Sequence, residues 1–152
     1  MKIYFAGPDV FYPGYETLVQ TINALGSQYG FEPLCPGVGG LTTPESIFAR
    51  NLQLIEKADG LIANLNPFRG QEPDSGTVFE VGYARALGKW VIGYLTDRRD
   101  LLAKLEPDPH QLLPDGSMVE DFGFPLNLML ALGVERLASS LTEAINLARQ
   151  KI

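Results

Sequence analysis

A carboxylate set inside an otherwise apolar helix, with a second acid six residues upstream, is the feature of this 152-residue chain that most invites chemistry. The segment reads Asp74-Ser75-Gly76-Thr77-Val78-Phe79-Glu80-Val81-Gly82-Tyr83-Ala84. Val78, Phe79, Val81, Gly82 and Ala84 flank Glu80, so its helix offers few polar neighbours and leaves the carboxylate partly desolvated. A buried, unpaired carboxylate is costly, and is neutralised, hydrogen-bonded or functional. Two plainer roles weigh equally on local sequence: a narrow solvent stripe, or an ion pair with Arg85. Asp74 would lie about 240° from Glu80 if both were helical, so the acids converge only if Asp74 sits in the loop or at the helix cap. Pro73 and Gly76 permit that placement. Because Asp and Ser are favoured helix N-caps, capping is the stronger local role for Asp74.

Paired carboxyl groups at one apolar pocket suit glycosidic chemistry. One attacks the anomeric carbon as an oxocarbenium-like transition state forms, while the other handles the proton of the leaving group. Close spacing gives a covalent intermediate and net retention. A phenol beside the nucleophile would fix its rotamer, and Tyr4, on the carboxyl side of the first strand, can reach that space; a strand tyrosine serves equally as packing. Two further loops share the rim, Gly7-Pro8-Asp9-Val10-Phe11 and Asn66-Pro67-Phe68-Arg69-Gly70. Phe11 and Phe68 are candidates to stack on a planar ring, or to plug the core. Arg69 would anchor the acidic loop or the sugar side. Gly7 and Gly76, where the backbone is open, complete the candidate contacts.

These residues need a scaffold. Residues 3–6 form a short apolar strand ended by Gly7-Pro8. Leu18, Ile22, Leu25 and Tyr29 follow one helical face, with Gly30 placed for a left-handed C-terminal cap. A second strand over 31–34 precedes a loop over 36–40. Thr43-Pro44-Glu45 carries helix-start signals, and the helix would run through the apolar positions Ile47, Phe48, Leu52 and Ile55. A third strand covers 60–65, a loop 66–74, a third helix 77–87 ending at Gly88, and a fourth strand 90–95. The span 97–124 is polar and proline-containing, and is expected to be an irregular insertion with one helical turn near 101–105. Ser140-Leu141-Thr142-Glu143 has capping-box spacing for a last helix that buries Leu141, Ala144, Ile145 and Ala148. Strands alternate with helices and read as continuously apolar. The fold class expected is therefore α/β: a flavodoxin-like three-layer α/β/α sandwich with a mainly parallel, doubly wound sheet, as one domain over 1–152. Ligands of such sheets bind beyond the carboxyl ends of the strands, which is where the candidate loops lie.

Bulk properties narrow the function. A formal charge of −6 and a pI near 4.7 oppose binding to a nucleic-acid polymer. Small uncharged nucleosides escape that objection. The single Cys35 and single His110 point to a reducing, cytoplasmic location and to chemistry without a metal or other cofactor. No stretch reaches the roughly 18 apolar residues of a membrane span, so no membrane partner is expected.

At this point the chain resembles the nucleoside 2-deoxyribosyltransferase family. The resemblance covers almost the whole sequence: residues 2–8 (Lys-Ile-Tyr-Phe-Ala-Gly-Pro), 58–65, the long run 67–82, and Gly123-Phe124-Pro125-Leu126-Asn127-Leu128-Met129. It implies a two-step transfer in which Glu80 takes up the 2-deoxyribosyl group at C1′, releases one base and accepts another. Tyr4 would orient Glu80, and Asp74 would hold and protonate the base. Asn127, with Met129 beside it, matches a position from which a neighbouring subunit completes the pocket and contacts the 5′-hydroxyl. A homo-oligomer, dimeric at least, is thereby implied, with nucleosides and free nucleobases as the partners. Ping-pong kinetics and slow hydrolysis of the intermediate follow. One departure stands out: many members carry an Asp on the second helix where this chain has Asn51. Asn both donates and accepts, which suits a broad exchange of purines and pyrimidines.

Two competing classes remain. Gly76-Thr77-Val78-Phe79-Glu80 also resembles the Gly-Thr-x-x-Glu segment of phosphoribohydrolases, which would make the chain an N-glycosidase of 2′-deoxynucleoside 5′-monophosphates. The Pro-Gly-Gly run that precedes that segment in those enzymes is missing. A non-catalytic nucleotide-sensing or receiver module would want paired acids after the first strand, where this chain has Gly7-Pro8. A flavin carrier would want a hydroxyl-rich phosphate loop at the same place.

Overall fold

The computed structural model describes residues 1–37, 40 and 42–151. Strands β1 (Lys2–Ala6), β2 (Glu32–Leu34), β3 (Gly60–Asn64), β4 (Trp90–Tyr94) and β5 (Arg136–Ala138) lie in the order β2-β1-β3-β4-β5, every pair parallel. Helices α1 (Tyr15–Tyr29), α2 (Pro44–Lys57), α3 (Ser75–Ala86), α4 (Leu101–Leu105), α5 (Leu128–Gly133) and α6 (Leu141–Ala148) connect them, with short 3-10 turns at Pro8–Phe11 and Arg149–Lys151. The expected doubly wound, flavodoxin-like sandwich is what forms. Its strand order reverses between β1 and β3, the place where such sheets open a crevice for a ligand.

Strand geometry sends successive side chains to opposite layers. Ile3, Phe5, Ile62 and Ile92 pack with Ile22 of α1 and with Ala144, Ile145 and Ala148 of α6. Tyr4, Ala6, Leu61, Ala63 and Val91 face the other way, onto Leu54 and Ile55 of α2, Val81 and Ala84 of α3, and Leu130 of α5. Tyr4 thus belongs to the layer that carries the Asp74–Glu80 helix. At the opposite end of the sheet the Trp90 ring fills the space of a Gly60 side chain, a Cβ there falling 1.9 Å from the indole.

Caps set the helix boundaries. Gly30 closes α1 in the left-handed conformation at φ 79°, as its position after Tyr29 foretold. Thr43 caps α2 through Ser46 N, and Ser140 caps α6 through Glu143 N at 3.2 Å. Asp100 does the same for α4, accepting from Ala103 N at 2.7 Å.

Several expectations require correction. The buried face of α2 is Leu54 and Ile55; Leu52 is only half-buried, and Ile47 and Phe48 are exposed. Ile47 lines a cavity at the carboxyl end of the sheet, and Phe48 turns towards Phe79 of α3, with ring centroids 6.1 Å apart. Residues 97–124 are less irregular than expected, since Leu112 and Met118 form an antiparallel bridge beyond α4. Helix α5 and strand β5 were not anticipated: β5 is held by its ladder to β4, with Leu137 opposite Gly93. The third helix starts at Ser75, two residues before the expected Thr77. The loop expected over 36–40 lies partly outside the described residues, which omit Val38 and Gly39. Among the described residues no helix is long and apolar enough to cross a membrane, and no group of His, Cys, Asp or Glu is arranged to hold a metal ion.

Candidate active site

Glu80 lies one and a half turns into α3, on the side that meets the end of β1. Tyr4 Oη donates to Glu80 Oε1 at 2.7 Å, and Asn51 Nδ2 from α2 reaches the same oxygen at 3.5 Å. Among the described residues Oε2 accepts no hydrogen bond, so one carboxylate oxygen is held and the other is uncommitted. Arg85 points elsewhere, pairing with Glu135 at 3.4 Å, which removes the ion-pair role weighed for Glu80.

Burial governs the ionisation of this pair. It pushes the Glu80 carboxyl up to about 7; the bond from Tyr4 opposes that shift and the nearby charge of Asp74 adds to it. The Tyr4 phenol, completely buried, is driven far above its ordinary value by burial and then by the adjacent carboxylate, so it stays a donor at any working pH. A carboxylate poised near neutrality, half-buried and oriented by a fixed donor, is suited to attack at carbon.

Asp74 is the N-cap of α3. Its Oδ2 accepts from Thr77 N at 2.9 Å and from Thr77 Oγ1 at 3.0 Å. The cap role argued from sequence is therefore met, and it also places the second acid close enough to bias Glu80. Gly76 keeps this turn open: a Cβ there would come within 3.1 Å of Asp74 Oδ2.

Beside Asn51 lies a cavity of about 250 Å³, lined by Val10, Phe11, Pro36, Gly37, Ile47, Arg50, Asn51 and Leu54. Tyr15 secures one wall by donating to the Pro36 carbonyl at 2.5 Å. Phe11 stacks on Phe68 with centroids 5.5 Å apart, and the Arg69 guanidinium lies 4.6 Å from the Phe68 centroid and 5.1 Å from that of Phe11. The two aromatics expected to grip a ring therefore grip each other, and only Phe11 also lines the cavity. Arg69 sits at φ 54°, a left-handed conformation unusual for a non-glycine residue, in the loop closed by the Pro67–Pro73 bridge.

A string of amides ties the rim loops together, and sequence reasoning missed it. Asn64 Nδ2 donates to both Asp9 oxygens at 3.1 and 3.0 Å, Asn66 Nδ2 donates to Asn64 Oδ1 at 2.7 Å, and Thr96 N donates to Asn66 Oδ1 at 2.9 Å. The signal was an Asp after the first strand facing one Asn that ends the third strand and another just beyond it. Gly7 is required here, because a Cβ would stand 2.4 Å from Asp9 Oδ2 and 2.8 Å from Asn64 Cβ. Asn51 was noted for its type, but not as a partner of Glu80.

Asn127 and Met129 are not brought to Glu80. Asn127 caps α5, accepting from Met129 N at 2.9 Å, and both residues are exposed. Helix α5 packs against α3, so they stand on the same layer of the molecule as the candidate site.

Fold and site together define a doubly wound α/β chain with an oriented, half-buried carboxylate at the carboxyl edge of its sheet. Residues 3–129 match the family model described as nucleoside 2-deoxyribosyltransferase, and the chain belongs to that family. A 2-desoxiribosyltransferase from Leishmania mexicana is similar at 38% identity and a TM-score of 0.88, over 98% of this chain and 97% of that one. A 2-deoxyribosyltransferase from Bacillus psychrosaccharolyticus shares the fold at 19% identity and a TM-score of 0.61, over 96% and 91% of the two chains. A CMP N-glycosidase from Clostridium botulinum also shares the fold, at 19% identity and a TM-score of 0.50 over 68% of this chain and 78% of that one. An uncharacterised protein of Schizosaccharomyces pombe is 34% identical over 110 residues, 64% of this chain, and the match spans about half (51%) of that relative.

Proposed function

We propose that this chain transfers the 2-deoxyribosyl group of a 2′-deoxynucleoside to another purine or pyrimidine base through a covalent intermediate on Glu80. The observation that carries this reading is the Tyr4–Glu80 bond beside a cavity open at Asn51. The uncommitted Glu80 Oε2 attacks C1′ as the C1′–N bond breaks. The leaving base takes its proton from Asp74, and Glu80 is left as a glycosyl ester with C1′ inverted. The incoming base attacks C1′ through a ring nitrogen, returns its proton to Asp74 and frees Glu80, so two inversions give net retention. Water in place of the second base gives slow side hydrolysis.

Tyr4 and Asn51 hold the nucleophile's other oxygen. Phe11 walls the cavity that takes the base, and Gly7 and Gly76 let the backbone approach the substrate. Phe68 and Arg69 buttress Phe11 in this scheme, without sandwiching the base. Asn127, with Met129, serves the site of a neighbouring copy, which makes the working form a homo-oligomer, dimeric or larger, acting in nucleoside salvage in the cytoplasm.

The test is to mix purified protein with one deoxynucleoside and a different free base and to follow the new nucleoside by chromatography. Exchange is expected, and Glu80→Ala abolishes it. A slow 2′-fluoro substrate is expected to leave a deoxyribosyl-type adduct on Glu80 by intact mass. Full exchange by Glu80→Ala overturns the mechanism, and base release from a 5′-monophosphate without exchange would favour the glycosidase.

A further inference from the structure

Arg50 has no role in the transfer scheme, yet it lines the cavity. Helix α2 presents Ile47, Arg50, Asn51 and Leu54 to that space, the i, i+3, i+4, i+7 positions of one helical face. Val10, Phe11, Pro36 and Gly37 form the facing wall. Three features of Arg50 stand out. It forms no ion pair or hydrogen bond among the described residues, a state it shares with the exposed Arg98 and Arg136, so its donors are uncommitted, and unlike those two it lines the cavity. It adjoins Asn51, the residue that touches Glu80, so the cavity's cation and the nucleophile are reached from consecutive positions of one helix. And it is the cationic side chain of a wall that is otherwise apolar apart from Asn51.

A guanidinium carries five donors and no acceptor. Bound beside a planar base, it pairs with two adjacent acceptors and repels an exocyclic amino group. The O6/N7 edge of a 6-oxopurine offers two such acceptors, whereas adenine places an N6 amino donor next to N7. Resting on the transfer reading above, we infer that Arg50 reads the base edge and makes 6-oxopurines, hypoxanthine and guanine, the preferred bases over adenine. Asn51 keeps the exchange broad; Arg50 grades it. The Arg50 side chain is exposed, so replacing it leaves the core intact.

The experiment compares hypoxanthine with adenine in wild type, Arg50→Met and Arg50→Lys. Each labelled base is exchanged into its own deoxynucleoside, giving kcat/KM, and free-base binding is measured in parallel by calorimetry. Wild type is expected to favour hypoxanthine by about tenfold or more. Arg50→Met brings the ratio close to one by losing on hypoxanthine while adenine holds or gains, and Arg50→Lys recovers only part of it, since an ammonium cannot bridge both acceptors. A ratio unchanged in Arg50→Met, or an equal loss on both bases, overturns the inference while exchange itself stands. If no variant exchanges any base but calorimetry shows Arg50-dependent preference for hypoxanthine, the transfer reading falls and the role of Arg50 survives.

Discussion

The Tyr4 hydroxyl lies 2.7 Å from Glu80 Oε1, joining the first strand to the third helix across 76 positions of sequence. The bond does two things at once. It fixes which carboxylate oxygen is free, and it offsets part of the rise that burial imposes on the acid.

Activity should therefore follow the ionised form of Glu80. Wild-type kcat/KM is expected to rise tenfold per pH unit on the acid side until Glu80 ionises at about 7, and then to fall again, because the leaving base still needs a protonated donor. In Tyr4→Phe the opposing bond is gone, so the acid limb moves to higher pH and the maximum falls by about 10–100-fold, the worth of a hydrogen bond to a charged group. A full pH–rate profile of both proteins checks this; an acid limb that stays in place or moves down would contradict it.

Stability should carry the opposite sign to that of an ordinary ion-paired carboxylate. Glu80 has a higher proton affinity folded than unfolded, 4.5 rising to about 7, so between those pH values the native state binds more protons. Folding is weakened as pH climbs through that window. Glu80→Gln is expected to be more stable than wild type at pH 8 by about 1–2 kcal/mol, after allowance for partial solvent screening, with the gap closing by pH 5. Urea titrations at the two pH values measure it.

Asp74 combines a cap with a proposed proton donor, and two substitutions separate the roles. Asp74→Asn keeps an acceptor for Thr77 N and should unfold within about 0.5 kcal/mol of wild type, yet lose exchange about 100-fold or more. Asp74→Ala loses both, with an added cost of about 0.5–2 kcal/mol. Thermal unfolding alongside chromatographic assay distinguishes them.

Asn127 tests whether sites are shared between copies. Asn127→Asp retains the acceptor that caps α5 but removes the amide donor. Glu80→Ala and Asn127→Asp are each expected to be inactive or nearly so, and mixing them after partial dissociation should restore exchange, because hybrid oligomers contain one intact site. Mixtures that stay as inactive as their parents would show that each copy works alone.

Much of this architecture was legible in the chain itself. Apolar runs of four to six residues marked the first, third and fourth strands, and the place of Tyr4 at the carboxyl side of the first strand put it within reach of Glu80. Local capping rules placed Asp74, Thr43 and Ser140 correctly because a cap is decided within three or four residues. The misses needed longer range. Strand β5 is three residues, Arg136–Ala138, and only the β4 ladder makes it a strand. Ile47 lines the cavity under α2 and Phe48 meets Phe79 of α3, so both are exposed although they belong to the apolar positions that mark the helix. The amide string and the Phe11–Phe68 stack join loops thirty or more residues apart, and no local pattern announces either.

Both margins of the sheet are only three residues long, and each resists extension. Pro33 in β2 has no N–H to offer, and Arg136 in β5 is exposed on the opposite border. An approaching strand from another molecule finds little template there. Two copies of this chain would have to meet through their helix-covered flanks, where Phe48, Phe79 and Met129 already face outward. The same brevity that hid β5 from the sequence thus guards the protein against fibrous association.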